Sequence, residues 1–511
     1  MKKFKDYSQD QPFLLPPSVD DLIPSDHMVR VINNVLDGLD HSVFGKPFQG
    51  GGCPSYHPLM MLKVIVYAYS VGVYSSRKIA ELFHRDIHFM YLSGMQQPDF
   101  NTVNRFRSKY FEGILPEVFS FVAHFLIREG YIKTKDYFVD GTKFEADAYK
   151  YSHVWKKNAQ KFSAKVKERA LGIIKEADDI NNSEDQEYGS KDLPSSGDHS
   201  NLTSADLCNA ADDLSDRLNE KLSPREKGKQ RTRIKKVRKH AEKLKTYEEQ
   251  LEVLGERNSF SKTDHDATFM RMKNDEVKPG YNIQAGTQNS YVTGFSVSQN
   301  SNDATAFIDH MEKREAEQLP QIENVMADSV YGSEENYNYL KDKPIGNYLK
   351  YPSFRQQEKG TLPEWASDNF IECPEKNIVI CPAGRELEFI ENRDKKTYSG
   401  YEYNVYVYRS KSCEGCHLKD KCVKAKSGLR TIELNRTLRK YRAQVKENLE
   451  SEKGLELRAR RGPEVETPFG HIKHNKLYRR IRLRGLKKVE TEMAWLFMAY
   501  NFTKMAKAKS A

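Results

Sequence analysis

The sequence predicts a mixed α/β protein with a helical N-terminal block, a small mixed sheet, and two insertions, one charged and helical, the other cysteine-rich and β-structured. Three observations predict it. Residues from about Leu22 to Glu129 carry helical apolar spacing punctuated by Gly and Pro. Short apolar runs of strand type recur at 137–142, 281–285, 291–297 and 322–328. A long polar segment and a cysteine cluster separate these runs from each other and from a basic C-terminal stretch.

A chain of 511 residues is longer than one hydrophobic core usually covers, so two to four structural units are expected. Its 38% hydrophobic and 30% charged content excludes a wholly disordered chain. Lys and Arg number 82 against 72 acidic residues, a net charge of +10, which leans toward a polyanionic partner. The start, Met1-Lys2-Lys3-Phe4-Lys5-Asp6, has no apolar run behind its lysines, so a secretory signal is not expected. The most apolar stretch, Leu59 to Val73, contains Lys63 and falls short of the roughly 18–20 residues of a membrane span. The expectation is a soluble cytoplasmic protein with no membrane partner.

In chain order, the first element is the helix around Leu59 to Tyr69. Ser75 to Phe83 then opens on helix-capping serines, and Asn101 to Arg107 offers a second polar start followed by basic residues. The pair reads either as a helix-turn-helix-like nucleic-acid reader, with Arg77, Arg105 and Arg107 on the ligand, or as a plain helical bundle with a solvated basic face. Tyr137 to Thr142 reads as a short buried strand running into a turn, with Asp140 at its end. Tyr281–Ala285 and Tyr291–Val297 flank Gly286 to Ser290, as a hairpin would, and Ile322 to Ala327 leads into Asp328. Within the polar segment 156–260, Ser183 to Asn201 is expected to be a flexible loop. Arg225 to Lys245 packs eleven Lys and Arg into 21 residues and predicts a long charged helix, either simply solvated or a phosphate-binding arm. Residues 351–430 hold the cysteines and the β-rich stretch Tyr401 to Tyr408, and Pro468 to Lys507 reads as one or two basic helices.

Two carboxylates at the ends of separate buried strands suit phosphoryl transfer assisted by two cations, which needs acids from distant segments to converge on ions roughly 3.5–4 Å apart. Magnesium prefers oxygen ligands and keeps several waters, so three carboxylates suffice. A lone Asp after a strand is usually a turn former; the pair Asp140 and Asp328 carries more.

The segment Val139-Asp140-Gly141-Thr142-Lys143-Phe144-Glu145-Ala146-Asp147-Ala148, running on to Val154-Trp155-Lys156-Lys157, resembles the first catalytic block of DDE transposases from bacterial insertion sequences. Ala327-Asp328-Ser329-Val330-Tyr331-Gly332 resembles the second, and Val465-Glu466-Thr467-Pro468-Phe469-Gly470-His471-Ile472-Lys473 the third. The resemblance spans nearly the whole chain and includes His57-Pro58 and Pro98-Asp99-Phe100-Asn101-Thr102 in the N-terminal block. It implies a ribonuclease H-like core in which Asp140, Asp328 and Glu466 bind Mg2+, or Mn2+, and are the catalytic acids. Pro468 suggests a helix starting close to Glu466. Lys473, seven residues on, then falls two turns along roughly the same face, within reach of DNA. Glu464 is a nearby rival; Glu466 is preferred for the Phe-Gly and Lys that follow it.

Five of the seven cysteines lie within residues 373–422. Cys413-x2-Cys416-x5-Cys422, with Cys381 upstream, offers four thiolates to a tetrahedral zinc, with an iron–sulfur cluster or no metal as alternatives. Cys373 stands as an alternative to Cys381, and His417 is in reach. Lys473, Lys476, Arg479 and Arg480 begin a basic run beside the third acid and suit the phosphate backbone.

The expected organisation is a helical DNA-binding domain over 1–130, a ribonuclease H-like catalytic core from 131–155, 256–350 and 431–507, a charged helical insertion at 156–255 and the cysteine-rich β insertion at 351–430. The expected partners are double-stranded DNA, as transposon terminal inverted repeats and target, and a second copy of the chain, in a dimer or larger complex. The expected reaction is end cleavage followed by strand transfer. The alternatives are a catalytically inactive DNA-binding regulator derived from a transposase, and a nuclease of the same fold.

Overall fold

The computed structural model describes residues 18–45, 55–188, 202–216, 224–319 and 321–510. The loop expected from Ser183 begins instead as the last turn and a half of a helix ending at Tyr188, and from 189 to 201 it lies outside the described residues. The chain forms two compact units, one of Met1–Phe144 with Asn282–Ala511 and one of Glu145–Tyr281.

Among the described residues the first unit opens with six α-helices: α1 (Met28–Asp37), α2 (Pro58–Ser70), α3 (Ser76–Leu82), α4 (Ile87–Ser93), α5 (Phe100–Arg105) and α6 (Leu115–Arg128). α2 is buried along its length from Met61 to Ser70, which explains a hydrophobic run that covers every face and is interrupted only by Lys63, whose ammonium bonds Asn33 and Asp37. The start of α5 is set by Asp99, whose carboxylate accepts from the backbone N–H groups of Asn101 and Thr102, a side-chain cap that satisfies two of the helix-end donors. Strand β1 (Asp136–Glu145) follows. It does not stop at Asp140 as the sequence suggested: alternation continues, with Thr142 and Phe144 buried beyond it.

The second unit holds β2 (His153–Trp155), α7 (Lys156–Tyr188), α8 (Ser204–Asp216), α9 (Pro224–Leu254), β3 (Ser259–Ser261) and β4 (Thr268–Arg271). α9 is the charged helix read from its lysines and arginines. Its Ile234, Val237, Ala241 and Leu244 recur at helical spacing and bury against Val166 and Ala170 of α7 and Leu207, Ala211 and Leu214 of α8. β4 pairs antiparallel with the first residues of β5 (Val277–Gln288).

In the first unit, β5 continues from Asn282 and turns back into β6 (Tyr291–Ser298). The turn is only Asn289-Ser290, both at positive φ (50° and 58°), the two-residue geometry whose twist matches paired strands. α10 (Asp303–Ala316), β7 (Asn324–Ala327), α11 (Glu334–Lys341) and β8 (Gly346–Leu349) follow. β1 lies between β5 and β7, and β7 pairs parallel with both β1 and β8, so the sheet is mixed, as expected. After α12 (Phe354–Glu358) comes a five-stranded antiparallel sheet: β9 (Ile371–Cys373), β10 (Ile378–Ile380), β11 (Glu386–Lys396), β12 (Glu402–Ser410) and β13 (Thr431–Leu434), with α13 (Lys419–Cys422) before the last strand. Phe370, Val379, Leu387, Tyr408, Ile432 and Leu434 give it a core of its own.

The chain ends with α14 (Arg436–Glu450), α15 (Glu452–Gly470) and α16 (Leu486–Ser510). α16 packs against α1, α2, α6 and β6, which is why Trp495, Phe497 and Met498 are fully buried. Among the described residues no single helix is long and apolar enough to cross a membrane.

Candidate active site

Parallel pairing of β1 and β7 runs from Asp136 opposite Asn324 to Val139 opposite Ala327. Asp140 and Asp328 are each the next residue after the last registered pair, so backbone register sets the two acids side by side. Asp328 is the residue that leaves β7, as the sequence indicated; Asp140 sits inside its strand. Arg461 of α15 reaches both: its Nη2 is 3.3 Å from Asp140 Oδ1 and 3.6 Å from Asp328 Oδ2. Arg461 is 15% exposed, Asp140 26% and Asp328 46%, so the group opens to solvent on the Asp328 side.

Burial drives the Asp140 carboxyl up; the Arg461 guanidinium and the Gly141 N–H pull it back, and Asp328 and Asp303 push it up again, leaving it at about 6. Burial of a carboxyl, with like charges crowded beside it, has this effect. Four residues upstream, Asp136 behaves oppositely. Its burial is outweighed by hydrogen bonds from Thr134, Asn324, Lys453 and Arg460, and it stands at about 2. Asp136 clamps the start of α15 onto the sheet, with Lys453 Nζ at 2.9 Å and Arg460 Nη1 at 2.8 Å from the same oxygen.

α15 begins at Glu452, capped by Ser451, and not near Glu466. Pro463 and Pro468 both lie inside it; each forfeits its own N–H bond and crowds the carbonyl four residues before it, and Thr467 Oγ1 donates to the Pro463 carbonyl at 2.6 Å. Glu464 is buried, takes the Ser290 N–H and faces Arg460. Glu466 is exposed, five residues and so about 7.5 Å of helix rise from Arg461. The structure thus brings Asp140 and Asp328 together and carries Glu466 on the helix that touches them. Among the described residues, no three His, Cys, Asp or Glu side chains stand close enough to hold a metal ion.

Beyond Glu466 the chain enters a π-helical turn, His471–Asn475. There Lys473 Nζ donates to Thr142 Oγ1 (2.6 Å) and the Lys143 carbonyl (2.7 Å) and lies over the Phe144 ring, fastening this turn to β1 two residues past Asp140. Arg479 and Arg480 are exposed, and Lys476 is partly buried. In the N-terminal helices Arg77 and Arg105 are exposed. Arg107 is not a surface residue: 7% exposed, it donates to the Tyr74 carbonyl and to Asn104 Oδ1, so it holds helices together and is not available to a phosphate.

Two residues at this site went unread in the sequence. Arg461 belongs to the run Arg458-Ala459-Arg460-Arg461, which carries no motif of its own. Asp303 starts α10 and accepts from Asn282 Nδ2 (2.7 Å) and Gln284 Nε2 (3.0 Å); the cap residue Asn302 before it was the available signal.

Cys381, Cys413, Cys416 and Cys422 line one cavity of about 20 Å3 between the β10–β11 turn and the β12–β13 connection. The Arg385 N–H points at Cys381 Sγ (3.3 Å), and Ser410 Oγ lies 3.1 Å from Cys413 Sγ. Burial pushes the Cys422 thiol up, and the three other cysteines push the same way. Cys373 ends β9 outside this cavity, and His417 is exposed and faces Glu364.

Residues 380–506 match the family model described as Transposase DDE domain, and residues 17–109 match Transposase domain (DUF772). The first match contains Glu466 and Lys473; Asp140 and Asp328 lie outside both. No curated protein and no solved structure matches the chain. A DDE-domain match that takes in α14, α15 and α16, together with a transposase match over the N-terminal helices, identifies the chain as a DDE transposase of the insertion-sequence type.

Proposed function

We propose that this transposase cleaves the ends of its element and joins them to target DNA on a ribonuclease H-like core, with Asp140, Asp328 and Glu466 holding Mg2+ or Mn2+. The observation that carries the reading is the placement of Asp140 and Asp328 as adjacent residues beyond a shared parallel register. A divalent ion fits this pair on its donor chemistry. Both are oxygen donors, Asp140 is held above the usual carboxylate range by burial and, less strongly, by its acidic neighbours, and the compensating charge at hand is a guanidinium within 3.6 Å of both. When bound, such ions activate the attacking water or 3′-hydroxyl and stabilise the leaving oxygen.

The protein's own share of the work follows from its geometry. Register fixes the spacing of the aspartates, Arg461 neutralises them in the free enzyme, and Lys473 ties the Glu466 helix to β1. Arg479 and Arg480, with Lys476 beside them, form the basic face offered to the phosphate backbone of double-stranded DNA; Arg77 and Arg105 offer a second on the N-terminal helices. Holding two terminal repeats for joining calls for at least two copies of the chain. A structural zinc at the cysteine cavity would require its four thiols to draw closer than they stand here, and would then stiffen a small sheet with little core.

The test is cleavage and strand transfer on labelled DNA carrying the element's own ends, with Mg2+ or Mn2+. Asp140→Ala, Asp328→Ala and Glu466→Ala each lower the rate by on the order of 1,000-fold, the several kcal/mol that metal assistance supplies, while Glu464→Ala retains cutting in proportion to its folded fraction. Cutting without joining makes the chain a nuclease. DNA binding without chemistry in either metal makes it a regulator, and either result overturns the proposal.

A further inference from the structure

Asp303 lies against the backbone at Gly141, the residue after Asp140, and its surroundings are more elaborate than a helix start requires. Both amides that reach it, Asn282 Nδ2 and Gln284 Nε2, end on the same oxygen, Oδ1. Asn282 and Gln284 are fully buried on β5. The other end of the Gln284 amide, Oε1, accepts the hydroxyl proton of Tyr331, itself buried, in the turn that follows Asp328; the Tyr331 N–H returns to the Asp328 carbonyl at 3.0 Å. On the β1 side, a Cβ added to Gly141 would overlap Asp303 Oδ1 and Gln284 Nε2. The residue after Asp140 is glycine because this carboxylate–amide pair occupies the space of a side chain.

We infer that Asp303 and Gln284 form a positioning bridge for the two aspartates of the proposed metal site. One end presses on the backbone at Gly141 and so sets Asp140; the other holds Tyr331 and so sets the turn that carries Asp328. The bridge works by hydrogen bonding and contact, since both amides need an acceptor at Oδ1 and neither needs a negative charge. The Gln284 amide is hydrogen-bonded at both ends, to Asp303 and to Tyr331, and such buried polar links rigidify what they join; a catalytic group displaced by 1 Å costs about 100-fold in rate. The inference rests on the reading of Asp140 and Asp328 as metal ligands.

The experiment uses the full chain and two readouts: Mn2+ affinity by electron paramagnetic resonance, and single-turnover cleavage at saturating DNA. Asp303→Ala and Tyr331→Phe each weaken Mn2+ binding about tenfold and slow cleavage about 100-fold. DNA affinity is unchanged, and the double variant loses no more than either single one because both break the same chain. Asp303→Asn keeps an acceptor at the same place and stays within about threefold of wild type. Should Asp303→Ala fail to fold, Asp303→Asn with Tyr331→Phe still decides the matter. Losses that multiply in the double variant, an Asp303→Asn as damaged as Asp303→Ala, or unchanged Mn2+ affinity in Tyr331→Phe overturn the bridge. A wild type that binds Mn2+ and cuts no DNA overturns the transposition chemistry, and the Mn2+ affinities then test the bridge alone.

Discussion

Arg461 Nη2 lies 3.3 Å from Asp140 Oδ1 and also faces Asp328, so the free protein carries a guanidinium where the proposed reaction places a divalent ion. Removing it leaves two acids without their cation. Arg461→Gln is expected to bind Mn2+ about tenfold more tightly in the absence of DNA, the effect of roughly 1.4 kcal/mol. Calorimetric titration checks this, and weaker binding would make Arg461 an organiser of the acids in place of a competitor.

The raised carboxyl of Asp140 has a thermodynamic sign. Its folded value of about 6 exceeds the ordinary carboxylate value near 4, so between those pH values the folded state binds the extra proton. Folding is thereby favoured at low pH and loses stability as pH rises through about 6. At pH 7, Asp140→Asn is expected to be more stable than wild type by on the order of 1 kcal/mol, the site being partly screened by water. The gap closes as pH falls toward 4. Urea unfolding at pH 4.5 and 7.5 reads both values, and a gap that widens on acidification contradicts the assignment.

Four thiols around one small cavity should either hold a metal or be replaceable. With zinc bound, the purified chain contains about one equivalent by elemental analysis, and Cys413→Ser lowers both that content and the melting temperature, since structural zinc contributes folding energy outright. A metal-free protein whose melting point ignores both the substitution and a chelator is the opposite result.

Gly286 on β5 faces the Tyr137 ring so closely that an added Cβ would fall within the ring and hydroxyl of that tyrosine. Tyr137 is fully buried, with its hydroxyl 2.8 Å from His310 Nε2. Gly286→Ala is expected to destabilise by about 3 kcal/mol, the upper range for overpacking. Tyr137→Val in the same chain should return part of the loss, as denaturation midpoints of the two singles and the double would register.

What the sequence displayed was local. The β5–β6 hairpin showed in alternating apolar residues around Asn289-Ser290, Asp328 in the apolar run ahead of it, and α9 in its lysines and arginines. What it hid were long-range demands on single residues. Gly141 reads as a turn because glycine usually serves one; here it keeps β1 extended beside Asp303, a contact made across 162 positions of sequence. Pro468 reads as a helix start, yet α15, which also contains Pro463, is capped at Ser451 and held by the Lys453 and Arg460 bonds to Asp136, which offset what each proline removes. Arg107 reads as a surface base because its carbonyl partner on Tyr74 leaves no trace in composition.

The spacing of Asp140 and Asp328 is written in main-chain hydrogen bonds between β1 and β7, and this divides the molecule's tolerance for change. Side chains such as Val139 and Ala327 can drift among apolar types, as cores of conserved volume allow, without moving the acids apart. A single residue gained or lost within either strand would turn one acid toward the opposite face. Lineages descending from this protein are therefore free to rewrite the apolar positions of these two strands, but not the number of residues in them.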